Sequence, residues 1–238
     1  MKKVKNLLTT SAAAAAIALT ATPAVAELEA SAAVSNIYLF RGVDQGRGTG
    51  AVSGDLVYSH GSGLYAGVWA SSAGNFSSGG EIDTFAGWSG SLGGLGVDIG
   101  LLDYYYPGTQ GGDSWGNDLT EAYLGLSFAG VELYYYDQIT GESTALDDNT
   151  YVTLGYSIGQ FSALVGMADF EEARGQTFDN DYTHLDLTYA FNDNLSFTLS
   201  KIISVDDEQN VNVTDPVANP NTYDDDAVVV VTYSIPLN

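Results

Sequence analysis

Beyond residue 30 the chain keeps a two-residue beat. Leu95, Val97, Ile99 and Leu101 alternate with Gly96, Asp98 and Gly100, and Ala122, Leu124, Leu126 and Phe128 alternate with Glu121, Tyr123, Gly125 and Ser127. The same beat runs through Val131–Tyr136, Tyr151–Ile158, His184–Tyr189 and Leu195–Ser200. Strict alternation places each set on one face of a strand. It predicts twelve strands, at about 31–40, 51–59, 64–71, 81–89, 95–105, 118–128, 131–137, 150–158, 161–169, 182–190, 195–203 and 226–235. Val228–Val231 is a continuous apolar run whose facing the pattern leaves open.

The connections alternate in length. His60–Gly63, Gly90–Gly94, Ala129-Gly130, Gly159-Gln160 and Phe191–Asn194 are short and built from turn residues. Between them fall long connections at about 41–50, 72–80, 106–117, 138–149, 170–181 and 204–225. Short turns at one end and long loops at the other describe an outer-membrane barrel; Greek-key crossings would not keep that order. Aromatic residues at strand ends (Tyr38, Phe40, Tyr104–Tyr106, Tyr134–Tyr136 and Tyr182 at one end, Tyr58, Tyr65, Phe128, Tyr156, Phe161 and Tyr233 among those at the other) suggest two girdles at the headgroup levels. The fold expected is all-β: a 12-stranded antiparallel transmembrane β-barrel, an up-and-down meander.

Alternation alone is symmetric between a soluble β-protein with an apolar core and a barrel with an apolar exterior. The loop asymmetry, the aromatic strand ends and the N-terminus together separate them. Met1–Lys5 is basic, Leu7–Leu19 is apolar and Ala-rich, and Ala24-Val25-Ala26 is a small-x-small cleavage site. Residues 1–26 therefore read as a signal peptide and 27–238 as the barrel domain, placed in the outer membrane of a bacterial cell.

Composition narrows the chemistry. The 238 residues contain no cysteine, which excludes disulfides, thiolate metal sites and a cysteine nucleophile. Seven Lys+Arg stand against 30 Asp+Glu, a net charge of −23, which excludes nucleic acid as a main partner. With lipid outside, the apolar sets face outward and the lumen takes Gly, Ser, Thr, Tyr and the acids. Asp55, Asp83, Asp98, Glu121, Glu132 and Asp186 fall on the inner face, with Arg41 at the outer mouth as the cation most able to pair with one of them and narrow the opening. Eight strands leave an interior just filled by side chains and 16–18 leave an aqueous channel, so a passage through twelve is narrow. Rings of acids favour cations.

Ile37-Tyr38-Leu39-Phe40-Arg41-Gly42-Val43-Asp44-Gln45 resembles the first-strand signature of the TorF-type porin family of proteobacterial outer membranes. Leu64–Ser71, Asp103–Gly108 and Glu121–Gly125 resemble further blocks of it, and the likeness spans most of residues 31–238. The resemblance implies an outer-membrane barrel with a transport role and carries over no catalytic residues.

Other motifs give less. His60 and His184 are the two histidines. His60 lies in a short turn, and His184 faces the lumen two residues from Asp186, more a hydrogen-bond network than a hydrolase triad. No catalysis, cofactor or resident metal is expected. Gly46–Gly50 and Gly93–Gly96 lack the helix start and Gly-Lys-Ser/Thr of a phosphate loop. Asp206-Asp207-Glu208 and Asp224–Asp226 make divalent cations a candidate partner of the outer loops, although a solvated acidic surface is the simpler reading. The expected partners are lipid and small solutes or cations, and the expected function is passive, cation-preferring diffusion. A closed structural or adhesion-type barrel is the alternative.

Overall fold

The computed structural model describes residues 26–74, 79–107, 119–140, 149–170, 181–205 and 226–237. The signal peptide, apart from Ala26, and the acidic runs at 206–208 and 224–225 lie outside these residues.

Twelve strands close into one antiparallel barrel. In chain order they are β1 (Glu27–Ser35), β4 (Ala51–Ser59), β5 (Leu64–Ser71), β6 (Glu81–Leu92), β7 (Leu95–Tyr105), β8 (Leu119–Phe128), β9 (Val131–Thr140), β10 (Thr150–Ile158), β11 (Phe161–Asp169), β12 (Tyr182–Ala190), β13 (Leu195–Val205) and β14 (Val228–Pro236). Two short strands, β2 (Leu39–Phe40) and β3 (Val43–Asp44), pair only with each other. Every barrel strand pairs with its neighbour in sequence, and β1 seals the ring against β14 from Ser31↔Pro236 to Ser35↔Thr232. Closure leaves no unpaired edge, which a strand assembly in hydrocarbon requires. Both β1 and β14 have their outer chain ends at the short-turn end.

The exterior is apolar. Leu56, Ile99, Leu101, Leu124, Leu133, Leu154, Leu187 and Leu199 are exposed on the outer face. In water such a surface would be costly, and in a bilayer it is the solvated one. In the continuous apolar run of β14, Val230 is buried inside and Val229 faces outward.

Two sequence expectations change. The first strand is Glu27–Ser35, not about 31–40. Residues 36–50 leave the barrel wall, although Ile37–Phe40 are good strand formers, because Tyr38 and Leu39 bury inside the barrel. The girdle at the long-loop end also changes. Tyr38, Tyr104, Tyr136 and Tyr182 are buried within the lumen, as is Tyr65 at the other end, so alternation overrides the aromatic preference for the interface. At the short-turn end, Tyr58, Phe128, Tyr156, Phe161, Phe191 and Tyr233 do face outward.

Candidate functional site

The segment 36–50 folds back into the barrel as a small hairpin. Its backbone satisfies itself, with Gln45 N donating to Tyr38 O at 2.9 Å, Tyr38 N to Thr49 O at 3.2 Å and Gly48 N to Asp44 Oδ2 at 2.6 Å. Inside a lumen this pairing is obligatory, since an unmet peptide group is costly there. Phe40 and Val43 pair across a two-residue turn at Arg41-Gly42. Both turn residues have positive φ, 49° and 81°, the mark of a type I′ turn. Glycine suits the second place. Arginine in the first bears about 1 kcal/mol or more of strain, so its surroundings must hold it.

They do so through five wall strands. Arg41 Nη1 and Nη2 donate to the two carboxylate oxygens of Glu121 on β8, at 2.8 and 2.6 Å. Nη2 also donates to the Tyr104 hydroxyl of β7 at 3.2 Å, and that hydroxyl donates to Glu121 at 3.0 Å. The guanidinium carbon lies 4.3 Å from the ring centroid of Tyr151, 5.1 Å from that of Tyr136 and 4.9 Å from that of Phe40. The Tyr182 hydroxyl of β12 donates to the Arg41 carbonyl at 2.9 Å. On the opposite flank Tyr38 stacks on Trp69, centroids 6.2 Å apart, and its hydroxyl donates to Glu81.

The wall behind the hairpin is a run of rings. Tyr134, Tyr136 and Tyr151 follow one another with centroids 6.0 and 5.9 Å apart. Tyr151 lies parallel to His184 at 6.0 Å and meets its Nε2 at 2.7 Å. His184 Nδ1 meets Asp186 at 3.2 Å. His184 thus joins Tyr151 to Asp186 while only 1% exposed. A second patch joins Tyr65 and Tyr134 to Asp98, at 2.6 and 3.3 Å, and Tyr65 to Tyr123 through their hydroxyls. Rings lie over inward glycines: a Cβ at Gly125 would stand 2.3 Å from Tyr134 Cε1, and one at Gly100 would stand 2.5 Å from the Tyr123 hydroxyl.

The inner-face residues named from sequence fall as follows. Arg41 sits at the hairpin tip and Glu121 is its partner. Asp83 is fully buried on β6, two residues from Glu81 and beside its carboxyl group. Asp98 is tied to tyrosines, Asp186 to His184, and Asp55 accepts from Ser31. Glu132 lies on the inner face of β9 beside Gly155. Glu81, Tyr104, Tyr136 and Tyr151 belong with them. Each has inward parity: Glu81 with Asp83, Tyr104 with Asp98, Tyr136 with Glu132, and Tyr151 opposite to the apolar set Val152, Leu154 and Tyr156.

A model of a family described as "Bacterial protein of unknown function (Gcw_chp)" matches residues 20–235. The chain belongs to this family. The match establishes Gcw_chp membership and does not reach the TorF-type label specifically. No curated protein matches this Gcw_chp chain. Among solved structures it is similar to "KdgM porin", at 6% identity and a TM-score of 0.46, over 89% of this chain and 99% of that one. It is also similar to the outer membrane phospholipase A from Escherichia coli, at 11% identity and a TM-score of 0.43, over 88% and 90%.

Proposed function

We propose that this chain is an outer-membrane porin of the TorF type, giving narrow, passive and cation-preferring diffusion of small solutes. Residues 1–26 then direct export, the short turns face the periplasm and the acidic loops face outward. The observation that carries the reading is the charge of the inner wall. Asp55, Glu81, Asp83, Asp98, Glu121, Glu132 and Asp186 face inward, while the Arg41 guanidinium is already answered by Glu121. The carboxylates that are not packed against the hairpin, Asp55 and Glu132 among them, raise the local concentration of cations in a narrow, low-dielectric lumen. The hairpin 36–50 sets the width.

The test is the reversal potential of the refolded protein in a planar bilayer under a salt gradient. Cation preference supports the proposal, and anion preference overturns it. A second reading, a closed structural or adhesion-type barrel, is favoured by the packing around the hairpin, where Asp83, Tyr104 and His184 are buried to 1% exposure or less. Absence of single-channel conductance would decide for it.

A further inference from the structure

The contacts of Arg41 are those of a receptor with its ligand. Four of the groups that hold it are fixed to the wall: Tyr104, Glu121, Tyr136 and Tyr151, on β7, β8, β9 and β10. Phe40 alone travels with the hairpin. Two rings within about 5 Å, a carboxylate placed for two parallel N–H···O bonds and a phenol oxygen make a box for a flat cation. The wall groups are held independently of Arg41: Tyr151 by His184, Tyr136 by Tyr134, and Glu121 by the Tyr104 hydroxyl. The residue filling the box is held there against strain, at a turn position with φ of 49° where a side chain is disfavoured.

We infer that Tyr104, Glu121, Tyr136 and Tyr151 form a guanidinium-binding site in the lumen, and that Arg41 occupies it as a tethered stand-in for a solute bearing the same group. This rests on the porin reading and names its solute class: small guanidinium compounds, which displace the hairpin as they enter. The chemistry selects guanidinium over ammonium, because the carboxylate is gripped at two nitrogens while the planar face lies against rings, and an ammonium offers neither. Coupling of the two events is reciprocal. A solute that takes the box withdraws the contacts that seat residues 36–50, so the passage widens in response to what it carries.

The experiment uses Arg41→Ala in detergent or lipid, titrated with methylguanidinium and followed by tyrosine fluorescence and thermal denaturation. Methylurea, of the same shape without the charge, is the control. Arg41→Ala should give a saturable response to methylguanidinium and none to methylurea. Arg41→Ala with Glu121→Gln should bind about tenfold more weakly, the loss expected for one charge-assisted pair. Wild type should bind more weakly than Arg41→Ala, its own arginine competing. Equal responses of the single and double variants, or equal responses to the two probes, overturn the inference. Where Arg41→Ala does not fold alone, refolding with methylguanidinium present is the readout: rescue that methylurea does not give supports the site, and no rescue overturns it. Reversal potentials of wild type in potassium chloride are independent of these titrations, so a failed site and a failed pore give different results.

Discussion

Arg41 and Glu121 stand 80 residues apart in sequence and meet through two N–H···O bonds inside the barrel. The side chains are 17% and 4% exposed, so little water screens them. Removing one member of such a pair costs about 3–5 kcal/mol, because the other charge stays buried. Glu121→Gln should therefore lower the denaturation midpoint in lipid and raise single-channel conductance, since the hairpin tip loses its anchor. Conductance equal to wild type would show that the seated hairpin does not set the width.

Gly42 is pressed against the wall. A Cβ there would lie 2.4 Å from His184 Cγ, and its φ of 81° is strained for any other residue. His184 cannot yield, held as it is between Tyr151 and Asp186. Gly42→Ala should unseat the hairpin at a cost of about 1–3 kcal/mol. Limited trypsin digestion reads this out as faster cleavage after Arg41, with the heat-modifiable gel mobility of the barrel retained. An unchanged digestion pattern would count against the packing described.

Facing can be tested at three positions. Leu154 is 53% exposed on the outer face, so Leu154→Arg should cost about 2–4 kcal/mol of folding into lipid vesicles near the midplane. Its neighbour Gly155 faces Glu132 with ordinary contact distances, and Gly155→Arg should fold nearly as well as wild type. Gly125→Arg should not. The two-residue beat treats position 125 as open inner wall, yet the Tyr134 ring covers it. Equal folding yields for the Leu154 and Gly155 variants would reverse the assigned faces.

Selectivity should depend on acids that do not hold the hairpin. Asp55→Asn with Glu132→Gln should reduce cation preference in reversal-potential measurements and leave trypsin resistance at Arg41 unchanged. The wild-type preference should fade as salt rises from 0.1 M to 1 M, with the Debye length falling from about 10 Å to about 3 Å. A preference independent of both salt and these substitutions would place its origin elsewhere.

The wall was legible because a strand on a two-sided surface must alternate. Glu121, Leu124 and Asp186 took their faces from parity alone. Turn pairs such as Ala129-Gly130, with φ of 52° and 85°, marked the strand ends. The hairpin was not legible. Ile37-Tyr38-Leu39-Phe40 carries strand propensity, and tertiary burial of Tyr38 and Leu39 decides against the wall. The hint lay in Gly42, Gly46, Gly48 and Gly50, too many glycines for a strand to continue. Arg41 is readable as the cation that would meet an acid, but Glu121 as its partner requires the register of the four barrel strands between them, β4 to β7. Aromatic residues at strand ends do not by themselves mark a girdle: parity, applied within Tyr104–Tyr106 and Tyr134–Tyr136, sends Tyr104, Tyr134 and Tyr136 inward.

The Tyr182 hydroxyl reaches the Arg41 carbonyl across 141 residues of chain. That span orders assembly in time. The hairpin 38–49 closes locally and can form early, but its sockets come from β5 to β12 and do not exist until most of the wall is paired. Contacts of such long sequence separation are slow to form. The stopper is thus made first and seated last, its anchorage to the wall waiting on the strands that follow it in the chain.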